Sequence, residues 1–270
     1  MKIGFEPIRD LDNQPIRELT GFDEMIFATE AKSRPVASMI NLVARLKEEL
    51  DAGASEKSLS MVRQLSLDQW EKALLTLRKR LIGDVVTAEC HCGECLEGVS
   101  LVFQISELPM VLASDPLAAV MLSKNERVSF RPMTIGDLEI LEAVCPDDET
   151  DRCALLLDQV TGHSSGWGKS LLVSKNKEKL LNALDLTARD LDLRLGANCA
   201  ACGAALEARF DVTAFVTSEI TRHAEHLLDD VHKIALAYHW AEDDIFSLGV
   251  SRRAAYLRRI EASAAITAIG

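Results

Sequence analysis

Cysteines gather in two segments far apart in the chain, Cys90-His91-Cys92-Gly93-Glu94-Cys95-Leu96-Glu97 and Cys199-Ala200-Ala201-Cys202-Gly203-Ala204-Ala205-Leu206-Glu207. Aligned on the pattern Cys-Gly-x-x-Leu-Glu, Cys92 falls on Cys202, Gly93 on Gly203, Leu96 on Leu206 and Glu97 on Glu207. Closely spaced cysteines followed by a small residue let thiolates from one tight turn converge on one ion, and Zn²⁺ takes four such soft ligands in a tetrahedron. The paired segments therefore predict one structural Zn²⁺. Cys199 and Cys202 supply two ligands, Cys92 a third, and either Cys90 or Cys95 the fourth. A closed site of this kind forces the chain to fold back on itself, so whatever lies between the two segments is an insertion into a zinc ribbon. A redox reading of the Cys-x-x-Cys pairs is weaker, because neither pair sits in a strand-to-helix redox unit. Cys145 and Cys153 lack spaced partners and are read as thiols without a role.

The rest of the sequence bounds what such a site can serve. A chain of 270 residues with 48% hydrophobic content can bury a sizeable core, which must be aliphatic because aromatics make up only 5%. The net charge of −12 weighs against a general nucleic-acid binder, which neutralises phosphates with excess Lys and Arg. The first residues have neither the basic start nor the apolar run of a signal peptide, and no apolar stretch reaches the length of a membrane span. An odd number of cysteines fits reduced thiols and metal better than a disulfide framework. The expectation is a cytoplasmic protein that does not engage membranes.

Periodicity divides the chain into an α+β, mainly α-helical architecture: an N-terminal helical region over 1–80, a discontinuous zinc ribbon over 81–110 and 190–214, a helical insertion over 111–189, and C-terminal helices over 215–270. Met39, Ile40, Val43 and Leu46 recur at helical spacing, and a second helix with Trp70, Leu74 and Leu77 on one face starts at Ser66 or Asp68. Val99, Leu101, Phe103 and Ile105 alternate as in a β-strand, and Ala208, Phe210, Val212 and Ala214 predict the same after the second knuckle. Thr134 is placed to cap a helix over 137–143, and 154–160 forms another apolar run. The most regular stripe, Ile220, Ala224, Leu227, Val231, Ile234 and Tyr238, predicts a long helix over 217–238.

Other motifs carry less. Gly168-Lys169-Ser170 suggests a phosphate loop, but the spacing puts His163 where the first glycine belongs, so a solvated turn is the reading. His223 and His226 lie three apart on the long helix without the His-Glu-x-x-His pattern and, like His232 and His239, read as solvated side chains. Glu97 and Glu207 are assigned to the solvent faces of their strands rather than to acid–base work. Arg252, Arg253, Arg258 and Arg259 form a basic cluster that reads either as a solvated face or as a docking site for an acidic partner.

Several segments together resemble a family of baseplate or baseplate-hub assembly proteins of T4-like phage tails and contractile injection systems. They are Glu18-Leu19-Thr20-Gly21-Phe22-Asp23-Glu24, Gly83 before the first knuckle, Phe130-Arg131-Pro132-Met133-Thr134 with Asp137-Leu138, Cys199-x-x-Cys202-Gly203, and the run from Val231 to Ile245 followed by Arg252, Arg253, Tyr256 and Leu257. The chain departs from that pattern where Glu89 replaces an outer cysteine with Cys90 one residue closer, and where Ala241 replaces a capping Ser. The resemblance implies a non-enzymatic assembly factor or minor baseplate component, either cytoplasmic or incorporated into a tail-like particle. Its implied partner is a baseplate or hub protein, met through the C-terminal arginines. The residues agree, offering no nucleophile, base and orienting group in one set. A zinc-ribbon nucleic-acid adaptor is the alternative reading.

Overall fold

The structure, a computed structural model, describes residues 16–48, 53–110, 119–123, 126–188 and 190–267. The outermost parts of the expected terminal regions, 1–15 and 268–270, and the start of the insertion, 111–118, lie outside the described residues. The chain opens with helices α1 (Gly21–Ala31), α2 (Pro35–Arg45), α3 (Glu56–Arg63) and α4 (Leu67–Leu81), followed by the hairpin β1 (Val85–His91) and β2 (Gly98–Gln104). The insertion holds a hairpin of β3 (Ala119–Ser123) and β4 (Glu126–Ser129), then α5 (Ile135–Val144), α6 (Glu149–Thr161), α7 (Trp167–Leu172) and α8 (Lys177–Thr187). A third hairpin, β5 (Arg194–Asn198) and β6 (Ala205–Arg209), leads into α9 (Val212–Tyr238), α10 (Glu242–Phe246) and α11 (Val250–Thr267). The mainly helical α+β architecture read from periodicity is the one observed.

The main core lies between α1, α2, α4 and the start of α9, and the stems of the first and third hairpins rest on it. Trp70, Leu74 and Leu77 are buried along α4 as their spacing predicts, and the Trp70 indole N–H donates to Thr213 Oγ1 at 3.1 Å. Leu101 and Ile105 bury inward from β2 and the turn after it, while Phe103 meets Phe210 edge-on at 5.2 Å. A second core belongs to the insertion, around Phe130, Leu157 and Leu180, and a third to α9, α10 and α11, around Leu227, Ile234 and Ile245.

Two expectations need correction. The insertion is not purely helical: Val120, Leu122 and Val128 turn toward its core from the β3–β4 hairpin, which has an irregularity between Met121 and Ser123. Strand β6 ends at Arg209 and α9 begins at Val212, so Val212 and Ala214 are helical. The cause is local. The Asp211 side chain accepts the Ala214 N–H at 2.9 Å and caps the helix five residues before its expected start.

One capping device occurs twice among the described residues. Arg17, Thr20 and Asp23 at α1 have the same spacing as Arg131, Thr134 and Asp137 at α5. In each, the aspartate accepts from the threonine N–H and hydroxyl, closing a capping box, and also takes a two-pronged hydrogen bond from the arginine. Burial alone would raise the Asp23 carboxyl, but the bonds from Arg17 and Thr20 outweigh it and hold the group below the usual carboxylate range. Each threonine also forms an isolated bridge to the turn entering a second helix, Thr20 to Gly249 before α11 and Thr134 to Ser66 before α4. The device thus ties α1 to the C-terminal helices and the insertion to the N-terminal ones.

Candidate metal centre

The turns of the first and third hairpins meet. Cys92 and Cys95 come from the β1–β2 turn, Cys199 and Cys202 from the β5–β6 turn, and the four sulfurs all lie within 4.8 Å of one another. Cys92 Sγ is 3.7 Å from Cys202 Sγ, and Cys95 Sγ is 3.6 Å from Cys199 Sγ. A tetrahedron built on Zn–S bonds of about 2.3 Å has edges of about 3.8 Å, so these thiols are already spaced as ligands. They are too far apart for a disulfide, whose sulfurs approach to about 2.05 Å. These four residues can hold a metal ion.

This settles the choice left open by the sequence. Cys95 is the fourth member of the cluster, and Cys90 stands outside it on β1, half-buried and paired with Val99. The two knuckles are also related by a different register from the one their shared Cys-Gly-x-x-Leu-Glu pattern suggests. The Cys92 N–H donates to Glu97 O at 2.9 Å and the Leu96 N–H to Cys92 O at 3.0 Å; in the other turn the Cys199 N–H donates to Ala204 O at 2.9 Å and the Gly203 N–H to Cys199 O at 2.9 Å. Hence Cys92 corresponds to Cys199, Cys95 to Cys202, and Leu96 to Gly203. Leu96 and Gly203 share the left-handed backbone, with φ of 61° and 76°. The glycine that matters is Gly203, and its counterpart is a leucine. The match of Glu97 with Glu207 fails as well: Glu97 closes its turn, whereas Glu207 is exposed on β6 and pairs with Arg194 at 3.0 Å.

Backbone amides prepare the Cys92 thiol. N–H groups of Cys95 and Glu94 lower the Cys92 thiol to about 7. At Cys95 the Glu97 N–H pulls the same way, but hydrogen bonds with the neighbouring thiols, that of Cys202 first, outweigh it and push the group up to about 12. Crowded thiols share their protons, and a divalent cation favours the thiolate forms instead. With four protein ligands around one ion, a tetrahedral centre leaves no position for water or substrate.

Two anchors that the sequence reading passed over hold the hairpins in place. Arg78, 4% exposed on α4, makes a two-pronged pair with Glu219 of α9 at 2.8 and 2.9 Å and donates to the carbonyls of Gly83 and Val85 at 2.6 and 2.7 Å. Its position, four after Leu74 and eight after Trp70, was the available signal, because it lies on the apolar stripe of α4. Glu71 accepts the Leu191 N–H at 2.8 Å where the chain enters β5. Burial, with Asp190 and Asp211 nearby, raises its carboxyl to about 7.

The remaining motifs find partners within the fold or face solvent. Lys169 pairs with Asp151 at 2.5 Å, and the amides of Gly166 and Gly168 donate to the buried Asp158 carboxylate, which occupies the position an anion would take. Gly168 is required by packing, since a Cβ there would meet Ala154 O at 2.4 Å. His226, His232 and His239 are exposed, and the half-buried His223 is shifted downward by desolvation. Arg252, Arg258 and Arg259 are exposed as expected, but Arg253 is not. It is 3% exposed and pairs with Glu24 at 2.5 Å and Asp230 at 3.5 Å, so it is removed from the surface cluster. Comparisons with known protein families, curated proteins and solved structures find no match to this chain.

Proposed function

We propose that this chain is a non-enzymatic assembly factor or minor structural component of the baseplate of a contractile phage tail or bacterial contractile injection system, built around a structural Zn²⁺ held by Cys92, Cys95, Cys199 and Cys202. The observation that carries the reading is the meeting of segments that carry the family resemblance from opposite ends of the chain. Leu19 O accepts the Val250 N–H at 2.9 Å, Glu18 accepts the Ser251 N–H at 2.6 Å, and Glu24 pairs with Arg253. These residues act as one framework, which is what a scaffold needs and an isolated surface motif does not. A closed four-thiolate centre supports the same reading, because its metal contributes folding free energy rather than a reactive position.

The partner is a baseplate or hub protein, approached in the cytoplasm through the exposed Arg252, Arg258 and Arg259. A nucleic-acid adaptor is disfavoured by the exposed Glu89, Glu94 and Glu97 on the first hairpin and its turn, which repel phosphate. Deleting the gene in a cell that makes the particle should leave tails without complete baseplates in electron micrographs. Wild-type protein should restore them, and a chain with Arg252, Arg258 and Arg259 reversed to Glu should restore them slowly or not at all. Full-length particles at wild-type yield from the deletion strain would sink the proposal.

A further inference from the structure

The four clustered thiols are not equally open to solvent, and the difference is crossed between the hairpins. Cys95 and Cys202 face solvent, whereas Cys92 and Cys199 are buried. Each solvent-facing cysteine has a buried cysteine of the opposite hairpin beside it, Cys95 with Cys199 at 3.6 Å and Cys202 with Cys92 at 3.7 Å between sulfurs. An accessible thiol with a second thiol poised behind it is the arrangement in which oxidation runs on to a disulfide. The surroundings narrow the oxidant. The charged side chains within the two turns are those of Glu94 and Glu97, both exposed, so an anionic oxidant is repelled and a neutral hydroperoxide is not.

We infer, on the zinc reading of this cluster, that it is a hydroperoxide-sensitive site in which Cys95 and Cys202 are oxidised and Cys199 and Cys92 resolve them across the hairpins. The Cys95 sulfur attacks one peroxide oxygen and the O–O bond breaks. Sulfenic acid forms at Cys95, and the leaving oxygen takes a proton from solvent to become an alcohol, or water from hydrogen peroxide. The Cys199 sulfur then attacks the Cys95 sulfur, the S–O bond breaks and hydroxide leaves as water. Cys202 and Cys92 react alike. Two hydroperoxides and four protons thus turn four zinc thiolates into two disulfides, two alcohols, two waters and free Zn²⁺. Bonds within each Cys-x-x-Cys turn would close very short loops and leave the hairpins untied. Bonds between the turns join residues 104 and 110 apart in sequence, which restricts the unfolded chain far more and keeps the ribbon closed after its metal has gone. Oxidation unloads the ion and leaves the β1–β2 and β5–β6 hairpins together.

Hydrogen peroxide added to the full chain, after elemental analysis has counted its zinc, tests this. A chromophoric chelator should record loss of one zinc per chain for two peroxides consumed, and peptide mapping without reductant should find Cys92 joined to Cys202 and Cys95 to Cys199. Dithiothreitol should restore zinc binding. Hydrogen exchange over β1, β2, β5 and β6 should stay slow in the oxidised chain and quicken in chain stripped of zinc by a chelator with its thiols kept reduced. Cys90→Ser, outside the cluster, should lose zinc to peroxide at the wild-type rate. Zinc retained through excess peroxide overturns the inference. So do disulfides within Cys92–Cys95 or Cys199–Cys202, a bond to Cys90, or Cys95 and Cys202 driven to sulfinic acid without bridging. A purified chain that carries no zinc sinks the zinc reading instead, and peroxide mapping of that metal-free chain then decides the oxidisable site alone, crossed bonds supporting it and any other pairing overturning it.

Discussion

The two knuckle hairpins reach the same thiol geometry from different supports. Each turn buries its first cysteine and exposes its second: Cys92 and Cys199 are 1% and 3% exposed, whereas Cys95 and Cys202 face solvent. Their turn hydrogen bonds agree to about 0.1 Å. Below the turns they part. The first hairpin has seven-residue strands clamped at the stem by the Arg78 guanidinium, which donates to the carbonyls of Gly83 and Val85. The second has five-residue strands, ion pairs on its exposed face between Arg194 and Glu207 and between Arg209 and Asp190, and a stem contact to Glu71, which titrates near neutrality. The ligand geometry is thus set by the local turn, while the scaffold decides only how firmly each turn is presented.

The largest effect should come from the element that the hairpins share. Binding free energy in small zinc domains is on the order of 10 kcal/mol and is folding free energy. Cys199→Ser should abolish stoichiometric zinc by elemental analysis and lower the melting temperature sharply, and Cys95→Ser should do the same. Cys90→Ser should keep the zinc, which separates the cluster from its bystander. Retention of one zinc per chain in Cys199→Ser would remove the site.

Next in size is the clamp on the first hairpin. Arg78→Met leaves the half-buried Glu219 without its partner and frees two carbonyls, a change below the about 3–5 kcal/mol of a fully buried pair. Hydrogen exchange should then quicken over residues 83–105 and leave 190–209 nearly unchanged. Equal loosening of both hairpins would mean that the metal transmits the strain between them.

The second hairpin should respond to pH instead. Burial raises Glu71 from an ordinary value of 4.5 to about 7, so between those values the folded chain holds a proton that the unfolded chain has released. Its contribution to stability is complete below pH 4.5 and is lost as pH rises through about 7. Glu71→Gln should flatten the stability profile over that window. Exchange at Leu191 and along β5 should accelerate from pH 6 to pH 8 in wild type beyond the intrinsic rate change, and the first hairpin should show no such excess. A variant with the wild-type slope would assign the pH dependence to another group.

Much of this was legible in the sequence because it depends on local chemistry. Ser66 and Thr134 cap helices where their spacing indicates, and Trp70, Leu74 and Leu77 bury as a stripe. Two cysteine segments so far apart had to converge if they were to share one ion. The failures came where a global partner overrides local character. Arg253 looks like one of four surface arginines, yet Glu24, 229 residues earlier, draws it into the interior. The knuckle register failed for a subtler reason. Gly93 follows Cys92 as Gly203 follows Cys202, which makes the two glycines look equivalent, but the left-handed position of the first turn is filled by Leu96. A residue without glycine's freedom at such a position leaves no compositional mark.

That same position gives the smallest expected effect and the sharpest comparison of the two turns. A side chain in the left-handed region costs roughly 1–2 kcal/mol against its Cβ. Leu96 recovers none of this by packing, being 74% exposed. Leu96→Gly should relieve that strain and lose some of it to the greater freedom of the unfolded glycine, for a net gain of about 0.5–1 kcal/mol. Gly203→Ala should cost about 1 kcal/mol, because the new methyl meets no neighbour and only the backbone objects. Both variants should keep one zinc per chain, since neither touches a thiol. Chemical denaturation of the zinc-loaded protein reads the signs directly. If both substitutions shift stability in the same direction, the turns are not equivalent at this residue, and the correspondence of Cys92 with Cys199 must be redrawn.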